Sequence, residues 1–410
     1  MKGRMFCPFP IYYYLYVGRS KSEYTSHWLM DVYAVRNIMQ ATYLANTFNR
    51  DMVFLRVKEI LIMTMTPRER VLAAMKSESL DRPPAAIFTQ SATVGQMDKV
   101  GAAWPEAHKN AELMAKLGCA QADVFGFECC RAPFCLTAET EALGAKVQVD
   151  KKDASPMIKE HPFKFDPMTS EYDDPSVLPA PEDFIQMGRP AEAIKAMAIM
   201  KKTHGENYAI VAGNTGPFTL TGNLINTENM VFGMMMDPDA VEKWVEAVNP
   251  LVQTYTNALL DAGADVVQCS EPSGSTDMLS PDMFYDAAGK HCKISLAPRP
   301  AEEKYTVLHI CGDTLPIIPF MADTGVTGLS VEEKVDSYKA VEAAAGRVVM
   351  VGNVGSVRPL FMGTPAEVVD AVNYSIDAGF GVISSGCGIA VSTPDENMQT
   401  FVDTVKKRGN

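Results

Sequence analysis

From about residue 65 to its end the chain alternates short apolar runs with amphipathic helical stretches, and that rhythm admits few folds. Strand-like runs fall at 84–89, 123–127, 208–212, 265–269, 305–310, 326–329, 348–351 and 380–384. They are apolar on both faces, as strands covered by crossover helices must be. The periodicity predicts helices over 105–117, 189–204, 230–236, 238–261, 315–323, 331–345, 365–378 and 394–407. About eight strand–helix units predict an α/β chain closed into a (β/α)8 TIM barrel rather than an open doubly wound sheet. No Gly-x-Gly-x-x-Gly follows the first run, which argues against a dinucleotide fold. Residues 150–190 carry seven prolines and read as a long excursion from the barrel.

The start of the repeating region is sharp. Thr66 is an N-cap candidate, Pro67 takes the first helical position, and Glu69 completes a capping box. The preceding segment has a different character. Residues 1–60 hold 12 of the 35 aromatics and eight Lys/Arg against four Asp/Glu, in a chain of net charge −13. Two domains are therefore expected: residues 1–64, an N-terminal extension read as an appended arm or an upstream-start artefact, and residues 65–410, the barrel. The acidic balance excludes non-specific nucleic-acid binding. No apolar run is long enough to span a membrane. Nine irregularly spaced cysteines suit a reducing cytoplasm with free thiols and metal ligands.

In a barrel of this kind, chemistry sits at the C-terminal ends of the strands. There the chain carries His309-x-Cys311 after one run and Cys387, within Ser384-Ser385-Gly386-Cys387-Gly388, after another. A lone His-x-Cys pair is more often packing than chemistry. The placement of both segments at strand ends, each closed by glycine, favours a site. One imidazole and two thiolates make a three-ligand zinc set with an open fourth position. A thiol entering that position would be activated as thiolate, and activation of water is the rival use. Glu332, in Leu329-Ser-Val-Glu-Glu-Lys334, is expected near the ion as a fourth ligand or gate, with Glu333 the second choice. Gln90, Asn214, Glu271 and Asn353 close other strands and are candidate pocket residues. Arg131 is a candidate partner for an anionic group, with a surface salt bridge as its alternative.

His309-Ile-Cys311-Gly with Gly386-Cys387-Gly resembles the zinc motif of the methylcobamide:coenzyme M methyltransferases, members of the uroporphyrinogen decarboxylase-like superfamily. Thr66-Pro-Arg-Glu-Arg70, Asp81-Arg-Pro-Pro84, Phe88-Thr-Gln90, Trp104-Pro-Glu-Ala-His108, Gly216-Pro-Phe218, Leu329-Ser-Val-Glu-Glu-Lys334 and Val351-Gly-Asn353 extend the likeness, in order, to the C-terminus. The resemblance implies a uroporphyrinogen decarboxylase-like TIM barrel holding Zn2+ through His309, Cys311 and Cys387, with Glu332 at the family's carboxylate position. It implies a small methylated corrinoid protein as partner and coenzyme M as the thiol substrate, giving methyl-coenzyme M in methylotrophic methanogenesis, with the methanol branch nearer than the methylamine branch. The alternatives are a different methyl acceptor, such as a tetrahydrofolate-type pterin, and a non-catalytic corrinoid-binding scaffold. The segment Ala85-Ala-Ile-Phe-Thr-Gln-Ser91 lacks the arginines with which true uroporphyrinogen decarboxylases grip substrate carboxylates, which disfavours decarboxylation.

Overall fold

The computed structural model describes residues 65–408; the reading of residues 1–64 lies outside the described residues. Seven parallel strands follow one another in chain order around a single sheet. They are β1 (Cys129–Ala132), β2 (Ala209–Thr215), β3 (Val266–Ser270), β4 (Tyr305–Ile310), β5 (Gly328–Val331), β6 (Val349–Val354) and β7 (Val382–Ser385), each buried along its whole length. The main helices are α1 (Pro67–Met75), α2 (Ala111–Ala120), α3 (Gly188–His204), α4 (Pro217–Ile225), α5 (Pro238–Asp261), α6 (Ile318–Asp323), α7 (Ser337–Ala344), α8 (Pro365–Ala378) and α9 (Asp395–Lys407).

The ring closes through residues 84–89. Ala85 bridges Ile383 of β7 in parallel, the Ala86 amide donates to Ile383 O at 2.9 Å, and the Glu128 amide donates to Ala85 O at 2.8 Å. This segment, expected as a full strand, forms one ladder bridge only. Pro83 and Pro84 bring no amide hydrogen, and hydroxyls supply later links: Phe88 N donates to Ser384 Oγ, and Thr89 pairs with Ser385 at 2.6 Å.

Strand alternation divides the apolar residues into two sets. Cys129, Ala209, Val211, Val266, Tyr305, Val307, Val349, Val351 and Val382 fill the barrel interior together with Val71, Leu72 and Met75 of α1, which plugs the N-terminal end. Their neighbours, such as Ile210, Val267, Leu308, Met350 and Ile383, pack outward against the helices. The capping box of Thr66 and Glu69 is formed, with Pro67 at the first helical position. Below the plug, Glu128 is 1% exposed and accepts from Arg70, from Arg82 at 2.7 Å and from the Ala85 amide at 2.9 Å.

Three expected elements are corrected. Residues 123–127 are not a strand: α2 runs on as a π-helical turn over Gln121–Phe125, Gly126 (φ +79°) stops it, and the strand begins at Cys129. The alanine-rich helix ahead of the apolar run carries it forward. The stretch 105–117 divides into a 3-10 turn and α2, because Asn110 caps α2 by accepting from Leu113 N at 3.0 Å. The expected helix 331–345 starts only at Ser337. Val331 belongs to β5 and Asp336 is the cap, so Glu332 and Glu333 lie in a loop at the barrel mouth. The excursion forms two small hairpins, Lys146–Gln148 with Met157–Glu160 and Phe165–Asp166 with Glu171–Tyr172.

Candidate metal centre

His309 shares its strand face with Tyr305 and Val307, so its ring points into the barrel, where it is 2% exposed. Its Nδ1 meets the buried Ser330 hydroxyl of β5 at 3.0 Å, which leaves Nε2 for a ligand. Cys311 follows β4 directly. The chain then turns at Gly312, whose φ of +86° is strained for a residue with a Cβ, and the Gly312 amide donates to Glu332 Oε2 at 2.5 Å. Cys387 follows β7 beyond Gly386, where a Cβ would meet Glu333 Oε2 at 2.5 Å. The chain therefore turns tightly after both strands, and the imidazole and both thiols converge.

One ligand atom from each of His309, Cys311 and Cys387 lies within 4.8 Å of the other two. The two thiols are half-buried and lie close enough to act on each other. Their interaction pulls the Cys311 thiol below its ordinary value, and it pushes Cys387 up to about 12, with burial adding to the rise. Two soft sulfur donors and a histidine nitrogen oriented by a second partner are the donor set zinc prefers, so these residues fit that ion. A cavity of about 590 Å³ opens on Cys387, walled by Gln90, Trp104, Phe134 and Phe361, with Asp153 and Pro156 contributed by the excursion.

A uroporphyrinogen decarboxylase (URO-D) family model matches residues 66–408. The chain belongs to the uroporphyrinogen decarboxylase family. It is 34% identical over 338 residues to the methylcobamide:CoM methyltransferase MtaA of Methanosarcina barkeri, covering 82% of this chain and 96% of that protein. It is 32% identical over 341 residues to the methylcobamide:CoM methyltransferase MtbA of Methanosarcina acetivorans, covering 83% and 98%. A solved methyltransferase from Methanosarcina mazei superposes with a TM-score of 0.77 at 34% identity, covering 84% of this chain and all of that one. Within the family this chain is a methyltransferase.

The remaining candidate residues separate by strand face. Gln90 lies beside the ligand set: its carbonyl accepts from Ile389 N at 2.8 Å and its amide donates to Ser270 Oγ at 3.2 Å. Asn214 turns outward and donates to Thr256 of α5 at 2.8 Å. Glu271 also turns outward. Its buried carboxylate accepts from Phe218 N and Thr219 N at the start of α4, and burial pushes it up to about 7. Asn353 accepts from Ser337 Oγ at 2.7 Å and donates to Val335 O at 2.9 Å, bracing the loop that carries Glu332. Glu332 is held on the Gly312 amide, outside the three-atom ligand cluster. Glu333 Oε2 is buried without a partner, and burial raises its pKa. Arg131 is no surface residue, being 1% exposed inside the barrel. Sequence reasoning missed Ser330, although the alternation Gly328, Ser330 against Leu329, Val331 places it on the inner face.

Proposed function

We propose that this chain catalyses zinc-dependent transfer of a methyl group from a methylated corrinoid protein to the thiol of coenzyme M. The observation that carries the reading is the convergence of His309, Cys311 and Cys387 within 4.8 Å at the open end of the barrel. It occurs in a chain similar to methylcobamide:CoM methyltransferases over nearly their whole length. Zinc, when bound there, would lower the pKa of an incoming thiol so that thiolate exists at neutral pH.

The chain's own residues supply the rest. Ser330 fixes the His309 ring, and Cys311 and Cys387 present two further donors from separate strand ends. Glu332, whose carboxylate accepts from the Gly312 amide next to Cys311, is the residue we assign to occupy or gate the fourth position once it leaves that amide. Trp104, Phe134 and Ile389 line an apolar wall that keeps water from the reacting sulfur. In the transfer, a sulfur lone pair forms the new S–C bond, and the electrons of the cobalt–carbon bond stay with the corrinoid. The 590 Å³ cavity gives the corrinoid face its approach. We place the reaction in the cytoplasm, in keeping with eight free cysteines among the described residues and no described helix long and apolar enough to cross a membrane. The division into residues 1–64 and 65–410 is part of the same reading.

The test uses free methylcobalamin and coenzyme M, with the cobalamin spectrum followed before and after chelation. Demethylation that needs coenzyme M, stops with chelator and returns with zinc is expected, as is loss of bound metal in Cys387→Ala. Turnover indifferent to chelation, or zinc retained in Cys387→Ala at the wild-type stoichiometry, would overturn the proposal.

A further inference from the structure

Three arginines are almost wholly buried. Arg70 is paired with Asp81 and Glu128, and Arg189 with Glu141. Arg131 is the exception. Its Nε donates to Phe88 O at 3.1 Å and its Nη1 to Pro133 O, while no carboxylate among the described residues bonds it. Carbonyl oxygens satisfy hydrogens but do not cancel charge; the buried Glu139 acts on Arg131 without a hydrogen bond and is itself pushed up to about 7, so the cation is only partly offset, which is costly to a fold. Burial pulls its pKa down to about 10, so the guanidinium remains protonated at neutral pH.

The position of this charge is specific. Arg131 lies on the inner face of β1, in step with Cys129 of the barrel interior. Its register partner on β2 is Val211, yet its contacts lie beyond that level, toward the mouth. Nη1 reaches Pro133, and Nη2 occupies the space that a Cβ on Gly213 would take. A side chain at residue 213 would displace it. Gly213 pairs with Gln268 on β3, and two residues further on Ser270 pairs with His309. The guanidinium therefore sits about 6.6 Å of strand rise below the ligand level. The inward side chains between these two levels are polar. Ser270 Oγ accepts from Gln268 at 3.0 Å and from Gln90 at 3.2 Å, which leaves its own hydrogen for another acceptor, and Gln268 Oε1 has no partner.

We propose that Arg131, assisted by the Ser270 hydroxyl, forms an anion subsite inside the barrel that receives the sulfonate of a short mercaptoalkanesulfonate whose sulfur lies at His309, Cys311 and Cys387. The inference rests on the thiol-methylation reading above, and it identifies what that reading left open, the group that recognises the substrate tail.

The experiment compares 2-mercaptoethanesulfonate with 2-mercaptoethanol, its uncharged counterpart. Thiol binding to the zinc-loaded protein is measured by calorimetry, and KM and kcat are measured with methylcobalamin. The wild type should bind the sulfonate at least 50-fold more tightly than the alcohol. In Arg131→Gln that ratio should fall to within about threefold of one, chiefly through KM, and Arg131→Lys should recover part of it. Ethanesulfonate, which has no thiol, should compete in the wild type. A wild type that binds both thiols equally overturns the proposal, whatever the variants do. So does an Arg131→Gln protein that keeps the wild-type ratio. If the sulfonate binds selectively but no methyl transfer follows, the thiol-methylation reading fails while the subsite stands.

Discussion

Replacing Ser330 by alanine separates the orientation of the metal-ligand histidine from the ligands themselves. Ser330 is fully buried, and its Oγ lies 3.0 Å from His309 Nδ1. Alanine removes one oxygen and leaves a ring nitrogen without a partner in a barrel interior. A buried polar group stripped of its hydrogen bond costs about 1–3 kcal/mol. The ring must still present Nε2 to the ion, so much of this cost should appear in binding. At about 1.4 kcal/mol per decade, the expected loss of zinc affinity is roughly ten- to a hundredfold, the range usual for outer partners of metal-bound imidazoles. Competition with a chromophoric chelator measures it, alongside thermal unfolding of the zinc-free protein. Thr306→Val is the control: its hydroxyl, also fully buried, donates to Leu296 O at 2.6 Å, away from the ligands. Zinc affinity within twofold of wild type in Ser330→Ala, or an equal loss in Thr306→Val, would refute the argument that Ser330 acts through His309.

Two further outcomes concern the scaffold. Glu128→Ala leaves Arg70 and Arg82 without their shared carboxylate and cuts the link to the Ala85 amide, so denaturant unfolding should show a loss of about 3–5 kcal/mol; a loss below about 1 kcal/mol would contradict the structure. Glu271 gives a pH signature. Its carboxyl is moved by burial from an ordinary 4.5 to about 7, so the folded protein holds the proton more tightly than the unfolded chain. Stability on its account is greatest below about pH 4.5, falls as pH rises to about 7, and is level above that. Relative to the non-titrating Glu271→Gln, the wild type should therefore lose on the order of 3 kcal/mol across that window; parallel stability curves would refute it.

How much of this was legible in the sequence depended on whether the signal was local. The helices Pro238–Asp261 and Pro365–Ala378 and the strand Tyr305–Ile310 could be read to the residue, since proline at the first helical position, a capping side chain and a bounded apolar run are all local. The segment 123–127 was misread because a π-helical turn keeps the apolar content of a strand while the preceding helix propagates through it. The loop carrying Glu332 was misread as helix because Val331 is apolar in either setting, and only the pairing of Ile310 with Val331 assigns it to β5.

The candidate site residues show where sequence reasoning stopped one step early. Position at a strand end does not tell which face a polar residue occupies. Alternation from the barrel-filling residues puts Gln90, Arg131, Gln268, Ser270, His309 and Ser330 inside, and it puts Asn214 and Glu271 outside, against α5 and α4. That parity is a property of the sequence, and it assigns Ser330 to the ligand environment and Arg131 to the interior. Asn353 resists the rule. Val349 and Val351 make it inward-facing, but Gly352 at φ +133° breaks the alternation and sends the amide to Ser337 and Ser375. A two-residue period thus sorts a barrel's polar residues only as far as the first glycine with positive φ, and beyond it the turn decides. His309 and Cys311 precede Gly312 in their segment, so parity reaches them; Cys387 is out of step with the inward-facing Val382, so its place in the ligand set follows from the chain leaving β7 at its end and not from alternation.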